Sequence, residues 1–308
     1  MATSTADSDG SQTAAPGTYG VAPAGHRLPD ATRIRTVTLQ VSELHTSRDF
    51  YQRILGFHAT ELAPNRVSLS DVDGGAPLIE LIENRAGHPL TRKTLGLFHV
   101  AILLPSRVEL GRFLAHVQAA GARVGAGDHF VSEALYVQDP DDLGIEVYAD
   151  RPRETWLRNG RELVMGTDPL DRRGLVAAGA DQPWRGMPAG TTIGHVHLHV
   201  GDLEEAGRFY GDAIGFDRMV WSYSGALFLA AGGYHHHLGT NVWAGPGARP
   251  AAPDDPQLLE WKLELPAESD LQAVGASLRE FGYPAGGSAD ALLTRDPWGT
   301  SLRLVTPR

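Results

Sequence analysis

The chain is 308 residues long, 42% apolar and 21% charged, with a formal net charge of −10 and no cysteine. That balance suits a folded protein of about two domains and argues against a nucleic-acid partner, which would select basic patches. No apolar run approaches the ~18 residues of a membrane span. Without thiols, His, Asp and Glu are left as metal ligands, a set that suits iron, manganese or zinc.

In chain order, residues 1–31 read as a disordered or extended tail dominated by Ala, Ser, Thr, Gly and Pro. They lack the basic start and apolar stretch of a secretory signal, so the cytoplasm is the expected location. A first module, 32–84, opens on the strand Val37-Thr38-Leu39-Gln40-Val41. It continues through a helix-like run carrying Phe50-Tyr51 and stops at Gly56-Phe57, where Gly can cap the helix. The second, 95–150, holds Leu104-Pro105 and Ala120-Gly121, then runs Leu135-Tyr136-Val137-Gln138 into Asp139-Pro140. That is turn chemistry, and it predicts a hairpin ending on Ile145-Glu146-Val147-Tyr148. Residues 151–190, with Pro152, Pro169, Pro183 and Pro188, read as a linker with a short helix over 170–180.

The third module, 191–245, repeats the first at a constant offset: Val196 to Leu203, then Phe209-Tyr210 and Gly215-Phe216. The fourth, 257–306, repeats the second through Leu265-Pro266, Phe281-Gly282, Asp296-Pro297 and Leu302-Arg303-Leu304-Val305. Each unit reads strand, helix, three strands. A sheet of three or four strands cannot close on itself. The expected fold is therefore α+β, four βαβββ modules paired into two curved-sheet domains around a cavity.

One strand stands out chemically. In Gly194-His195-Val196-His197-Leu198-His199 the imidazoles alternate with apolar residues, so all three share a face. Such a face is either wet or a rigid platform for metal ligands.

The four-fold repeat resembles the vicinal oxygen chelate superfamily of glyoxalases, bleomycin-resistance proteins and extradiol dioxygenases. The segments 26–33, 128–136 and 144–152 resemble its catechol-2,3-dioxygenase-like branch in particular. The resemblance implies a template of metal ligands: a residue on the first strand of each paired unit, and a Glu on a last strand. Those positions hold Thr36, His99, His195 and Glu260, and Glu146 and Arg303. A guanidinium cannot ligate a cation. Units two and three alone supply two imidazoles and a carboxylate, His99, His195 and Glu146, the facial set of non-haem Fe(II), with Mn(II) as the substitute. Modules 2 and 3 are thus expected to share the metal site. The outer modules would pair as a support, with Glu260 and Arg303 joined as ions.

The resemblance further implies that Tyr136 binds a catechol oxygen and that His129 stands behind the ligands, although its gap to Tyr136 is shorter than in some relatives. The run Tyr234-His235-His236-His237 falls on the last strand of unit three, where the acid/base histidine of extradiol enzymes belongs. His236 has the matching context, and His237 is the rival on the opposite face. His197, His199, Asn241 and Trp243 are candidate pocket residues, Trp243 equally a core residue. The implied function is ring cleavage of a catechol by O2 in aromatic catabolism, in a protein compatible with a homo-oligomer and without nucleic-acid or membrane partners. The alternatives are a glyoxalase-like isomerase or lyase, which typically wants a further carboxylate, and a metal-free binding protein of the resistance type.

Overall fold

The computed structural model describes residues 12–15, 17–86, 93–288 and 290–307. Module 1 comprises β1 (Arg33–Val41), α1 (Leu44–Arg53), β2 (His58–Ala63), β3 (Arg66–Ser70) and β4 (Ile79–Glu83). Module 2 comprises β5 (Thr94–Leu103), α2 (Arg107–Ala119), β6 (Gly125–Asp128), β7 (Ser132–Gln138) and β8 (Gly144–Asp150). After α3 (Arg172–Ala178), module 3 holds β9 (Thr192–His199), α4 (Leu203–Ala206), β10 (Asp217–Val220), β11 (Ala226–Ala230) and β12 (Leu238–Asn241). The α4 axis continues over Gly207–Ile214 as a π-helix. Module 4 holds β13 (Gln257–Glu264), α5 (Glu268–Glu280), β14 (Ala285–Ser288), β15 (Ala291–Arg295) and β16 (Ser301–Val305). The class is mixed α+β, as the repeat predicts.

The modules do not pair in sequence order. One sheet runs β10-β11-β12-β9-β5-β8-β7-β6 and so joins modules 3 and 2; the other runs β14-β15-β16-β13-β1-β4-β3-β2 and joins modules 4 and 1. The seams are antiparallel, β9 on β5 and β13 on β1. Period-two alternation assigns the faces. Val100, Ile102, Ile145, Val147, Val196 and Leu198 point into a continuous core, shared with Val37 and Trp261 of the other sheet and with Phe113 and Tyr210 of the helices. His99, Ala101, Glu146, His195 and His197 occupy the complementary positions on the opposite face.

The Phe-Tyr repeat has a structural purpose. Tyr51 of α1 donates to Asp139 Oδ2 at 3.3 Å, and Tyr210 donates to Asp296 Oδ2 at 2.9 Å. Each tyrosine thus holds the Asp-Pro turn of the next module in the chain, which belongs to the other sheet. Both residues of the Tyr210 pair are buried, so Tyr210→Phe strands a buried carboxyl oxygen. It should cost about 1–3 kcal/mol of stability, read as a lower urea midpoint at unchanged slope.

The flanking segments are more ordered than their composition suggests. Residues 1–11 and 16 of the expected tail lie outside the described residues. The remainder is extended but packed: Tyr19 and Leu28 are buried, and Arg27 grips Asp217 through two hydrogen bonds of 2.7 and 2.6 Å. Residues 151–190 are likewise more than a connector. Leu157–Asn159 pairs with both Gln12–Thr13 and Glu162–Leu163, around the fully buried Trp156. The expected short helix is α3. It lies so close to α2 that a Cβ at Gly111 would stand 2.1 Å from the Leu175 carbonyl oxygen.

Among the described residues, no helix is long and apolar enough to cross a membrane.

Candidate metal centre and its cavity

Register builds the centre. Ala101 on β5 pairs with Glu146 on β8 on one side and with His195 on β9 on the other, while His99 pairs with His197. Glu146 and His195 therefore flank a methyl group in one row. They close over Ala101, and His99 joins them from two residues along the strand. The His99 Nε2–Glu146 Oε2 distance is 3.0 Å, His195 Nε2–Glu146 Oε2 is 3.3 Å, and the two Nε2 atoms are 3.2 Å apart. Donors about 2.1 Å from one cation and at right angles about it would stand about 3 Å apart, so the spacing fits. The three side chains are 5%, 3% and 2% exposed for His99, Glu146 and His195.

Electrostatics favours the same occupant. Burial alone would raise the Glu146 carboxyl, but the neighbouring His195 and His99 hold it well below the usual carboxylate range. Burial pushes His195 down to about 4, against the pull of Glu146. Near neutral pH the cluster is an ionised carboxylate facing a neutral imidazole, the protonation states that metal ligation requires. A buried anion of this kind is costly unless a cation meets it. His195 Nδ1 is buried with no hydrogen-bond partner.

The cluster closes one end of a cavity of about 280 Å³. Phe98 and Phe228 supply apolar walls, and Trp243 stands half-exposed at the rim. Tyr136 and His129 line the same cavity as a pair: His129 Nδ1–H donates to Gly166 O at 2.7 Å, so its Nε2 accepts the Tyr136 hydroxyl at 2.6 Å. Burial, then the charge of Glu146, push the Tyr136 phenol well above its usual range, keeping it protonated. His197 also lines the cavity, and its buried Nε2 has no partner. Burial holds it neutral, well below the usual imidazole range.

The adjacent histidines separate. His236 lines the cavity with its ring 4.0 Å from that of His195, while His237 lines a different cavity. Neither is on the strand where the sequence reading put it. Both lie in the turn just before β12, because the chain must rise over Ala231–Tyr234 before pairing with β9. His199 and Asn241 are not in the cavity either. A strand advances about 13 Å over four residues, which carries His199 past Phe98 into an adjoining groove of about 1010 Å³. Asn241 is fully buried, and its Oδ1 accepts from His199 Nδ1 at 2.6 Å and from the Trp243 amide at 3.0 Å.

Sequence reasoning passed over a network behind His236. His235 is fully buried; its Nε2 meets Asp150 Oδ1 at 2.9 Å and its Nδ1 meets His236 Nδ1 at 2.7 Å. A carboxylate only accepts, so His235 donates Nε2–H to Asp150, and its Nδ1 is placed to accept from His236 Nδ1–H. That leaves His236 Nε2 as a free base. Tyr234 adds a 3.2 Å hydrogen bond to Asp150 and a 2.6 Å one with Tyr148. Met165, Thr167 and Tyr223 also line the cavity. Nothing in the linker composition could have signalled the first two, whereas the alternation of β11 marks Phe228 as a wall.

The corresponding place in the other sheet is closed by ion pairs. Arg303 Nη2 lies 2.9 Å from Glu260 Oε2, Glu80 binds Arg66 and faces Lys262, and Thr36 donates to Pro77 O.

Four βαβββ units in two curved sheets, with a His-Glu-His cluster in one concavity, define a vicinal oxygen chelate protein. Residues 33–147 match the model of the Glyoxalase/Bleomycin resistance protein/Dioxygenase superfamily, and the chain belongs to that superfamily. It is 42% identical over 274 residues to a catechol-2,3-dioxygenase of Bacillus subtilis (strain 168), covering 88% of this chain and 95% of that protein. Among solved structures, a Bacillus subtilis protein described as a dioxygenase superposes with a TM-score of 0.63 at 13% identity, covering 91% of this chain and 86% of the other. Glyoxalase I from Zea mays gives a TM-score of 0.53 at 15% identity, over 90% and 92% of the two chains. At those identities the likeness is one of fold.

Proposed function

We propose that the protein is a non-haem Fe(II)-dependent extradiol dioxygenase that opens a catecholic ring beside its hydroxyls with O2, Mn(II) being the alternative metal. The observation that carries this reading is the three-donor cluster, two imidazoles and one carboxylate, at the closed end of an aromatic-walled cavity. The 42% identity to a catechol-2,3-dioxygenase supports it independently. Among the described residues no second carboxylate joins the cluster, whereas the isomerase alternative typically wants a further one.

A divalent iron held by His99, Glu146 and His195 would supply a Lewis acid with positions left for both catechol oxygens and for O2. The remaining work falls to the protein. Phe98 and Phe228 hold an aromatic ring and exclude water. Tyr136, whose hydroxyl donates its hydrogen bond to His129, accepts that of one catechol hydroxyl. His236 Nε2 takes up a catechol proton and returns it as the ring opens, with Asp150 and His235 fixing its tautomer. A cavity of about 280 Å³ sits at the small end of ligand sites. It favours a single-ring catechol whose substituent leaves past Phe98 and Trp243 into the groove.

Protein loaded anaerobically with Fe(II) and then given catechols in air should form a yellow ring-fission product with one O2 consumed per catechol. Iron bound at the cluster with neither colour nor oxygen uptake across single-ring catechols would overturn the proposal.

A further inference from the structure

At the start of β9 lies a second cavity of about 280 Å³ that the proposed reaction does not use. It opens where the start of β1, the end of β5 and the 231–237 turn meet. Three of its lining residues offer donors. His237 is 9% exposed, and its Nδ1 accepts the Ala231 N–H at 3.2 Å, which puts the ring proton on Nε2. That Nε2–H has no protein acceptor among the described residues. Thr32 Oγ1 is buried with no partner. Arg153 lies over the rings of Trp156 and Tyr234, 5.6 and 5.5 Å from their centroids. It donates to Gly232 O at 3.2 Å but makes no ion pair among the described residues.

Of the other charges at this cavity, Arg33 is bound to Glu264, and the exposed Asp30 carboxylate at the rim lies 3.7 Å from Arg27, whose guanidinium is held by Asp217. Arg153 is left as an unneutralised cation in a chain whose net charge is −10. Burial, reinforced by His235 and Arg153, holds His237 down to about 3, so the ring is a neutral donor. A guanidinium, an imidazole N–H and a hydroxyl on side chains that line one cavity match the lone pairs of an oxyanion. The other walls, Ile34, Leu103, Ile193 and Ala231, are apolar. They suit an anion with a short hydrocarbon body better than a fully hydrated phosphate.

We propose that this second cavity binds a small aliphatic carboxylate, held by Arg153, His237 Nε2–H and the Thr32 hydroxyl. The site is separate from the metal cluster but shares the 231–237 turn with it. His236 faces one cavity from that turn and His237 the other, so an anion bound behind the turn restrains the segment that carries His236.

The test is isothermal titration calorimetry of the full chain with sodium butyrate at constant ionic strength. Butyramide and inorganic phosphate serve as comparison probes, and every variant is first checked by its thermal melt. The expected result is saturable butyrate binding, weakened about tenfold or more in Arg153→Ala and likewise in Thr32→Val. Binding should be unchanged in His99→Ala, because the cluster is not involved. Absence of saturable butyrate binding overturns the proposal. So does wild-type affinity in Arg153→Ala and Thr32→Val, equal affinity for butyramide or phosphate, or loss of binding in His99→Ala.

Discussion

Glu146→Gln should lose divalent-metal affinity by more than about 100-fold while the fold survives. Removing groups that merely support a ligand already costs about 10–100-fold, and Glu146 supplies the cluster's only carboxylate. The substitution keeps the shape of a side chain that is 3% exposed. It removes the one anion that makes the cluster attractive to a dication. Its effect on the metal-free protein should be a loss of stability as well. His195 and His99 hold the Glu146 carboxyl well below the usual range, so the folded chain favours the ionised form, and an uncharged amide forfeits that interaction. The metal-free variant should therefore melt below the wild-type temperature. Added Fe(II) or Mn(II) should raise only the wild-type melt, through a stabilisation of about 2.7 kcal/mol at a concentration one hundred times the dissociation constant. Elemental analysis after dialysis and paired melting curves read both quantities. A variant that retains metal with wild-type affinity would remove the cluster from consideration as the metal centre.

His236→Gln should lower kcat on a catechol by about 10²–10⁴-fold, the usual contribution of a positioned general acid or base. Metal content should stay at the wild-type level, since the ring packs against His195 without joining the three-donor cluster. His237→Gln is the internal control. Its ring lies outside the cavity, and kcat should stay within a few-fold of wild type. Asp150→Asn should fall between the two, because it loosens His235 and so the tautomer of His236 without removing the base. Steady-state kinetics normalised to bound metal distinguishes the three. Equal losses in His236→Gln and His237→Gln would mean that the turn matters only as scaffolding.

The fold was legible because its signals are local and repeated. Phe50-Tyr51 and Phe209-Tyr210, with Gly56 and Gly215 after them at φ of 84° and 106°, end the same helix twice. Asp139-Pro140 and Asp296-Pro297 open the same hairpin twice. His99, Glu146 and His195 could be singled out because the superfamily resemblance assigns metal ligands to equivalent places in those repeats, and those are the three side chains that meet. The positions misjudged have a common cause. His199 shares a face with His195, but parity says nothing of distance along the strand. Asn241 has the polarity of a pocket residue, yet it turns inward to hold His199. Met165, Thr167, Asp150 and His235 belong to segments with no repeat partner to give them meaning.

Taken alone, the order of residues determined which side chains share a sheet face, where each module begins and ends, and which donor types were on hand. Those are consequences of dihedral preference and a two-residue period, and they act within a few neighbours. Only the folded chain decided which strands lie side by side. The β9–β5 seam sets His195 and Glu146 on either side of Ala101, across separations in the chain that no local rule spans. It equally sent His236 and His237 to different cavities and brought Asp150 to His235. Such choices rest on the burial of two whole sheets against one core, an energy shared among dozens of residues and written in no single motif.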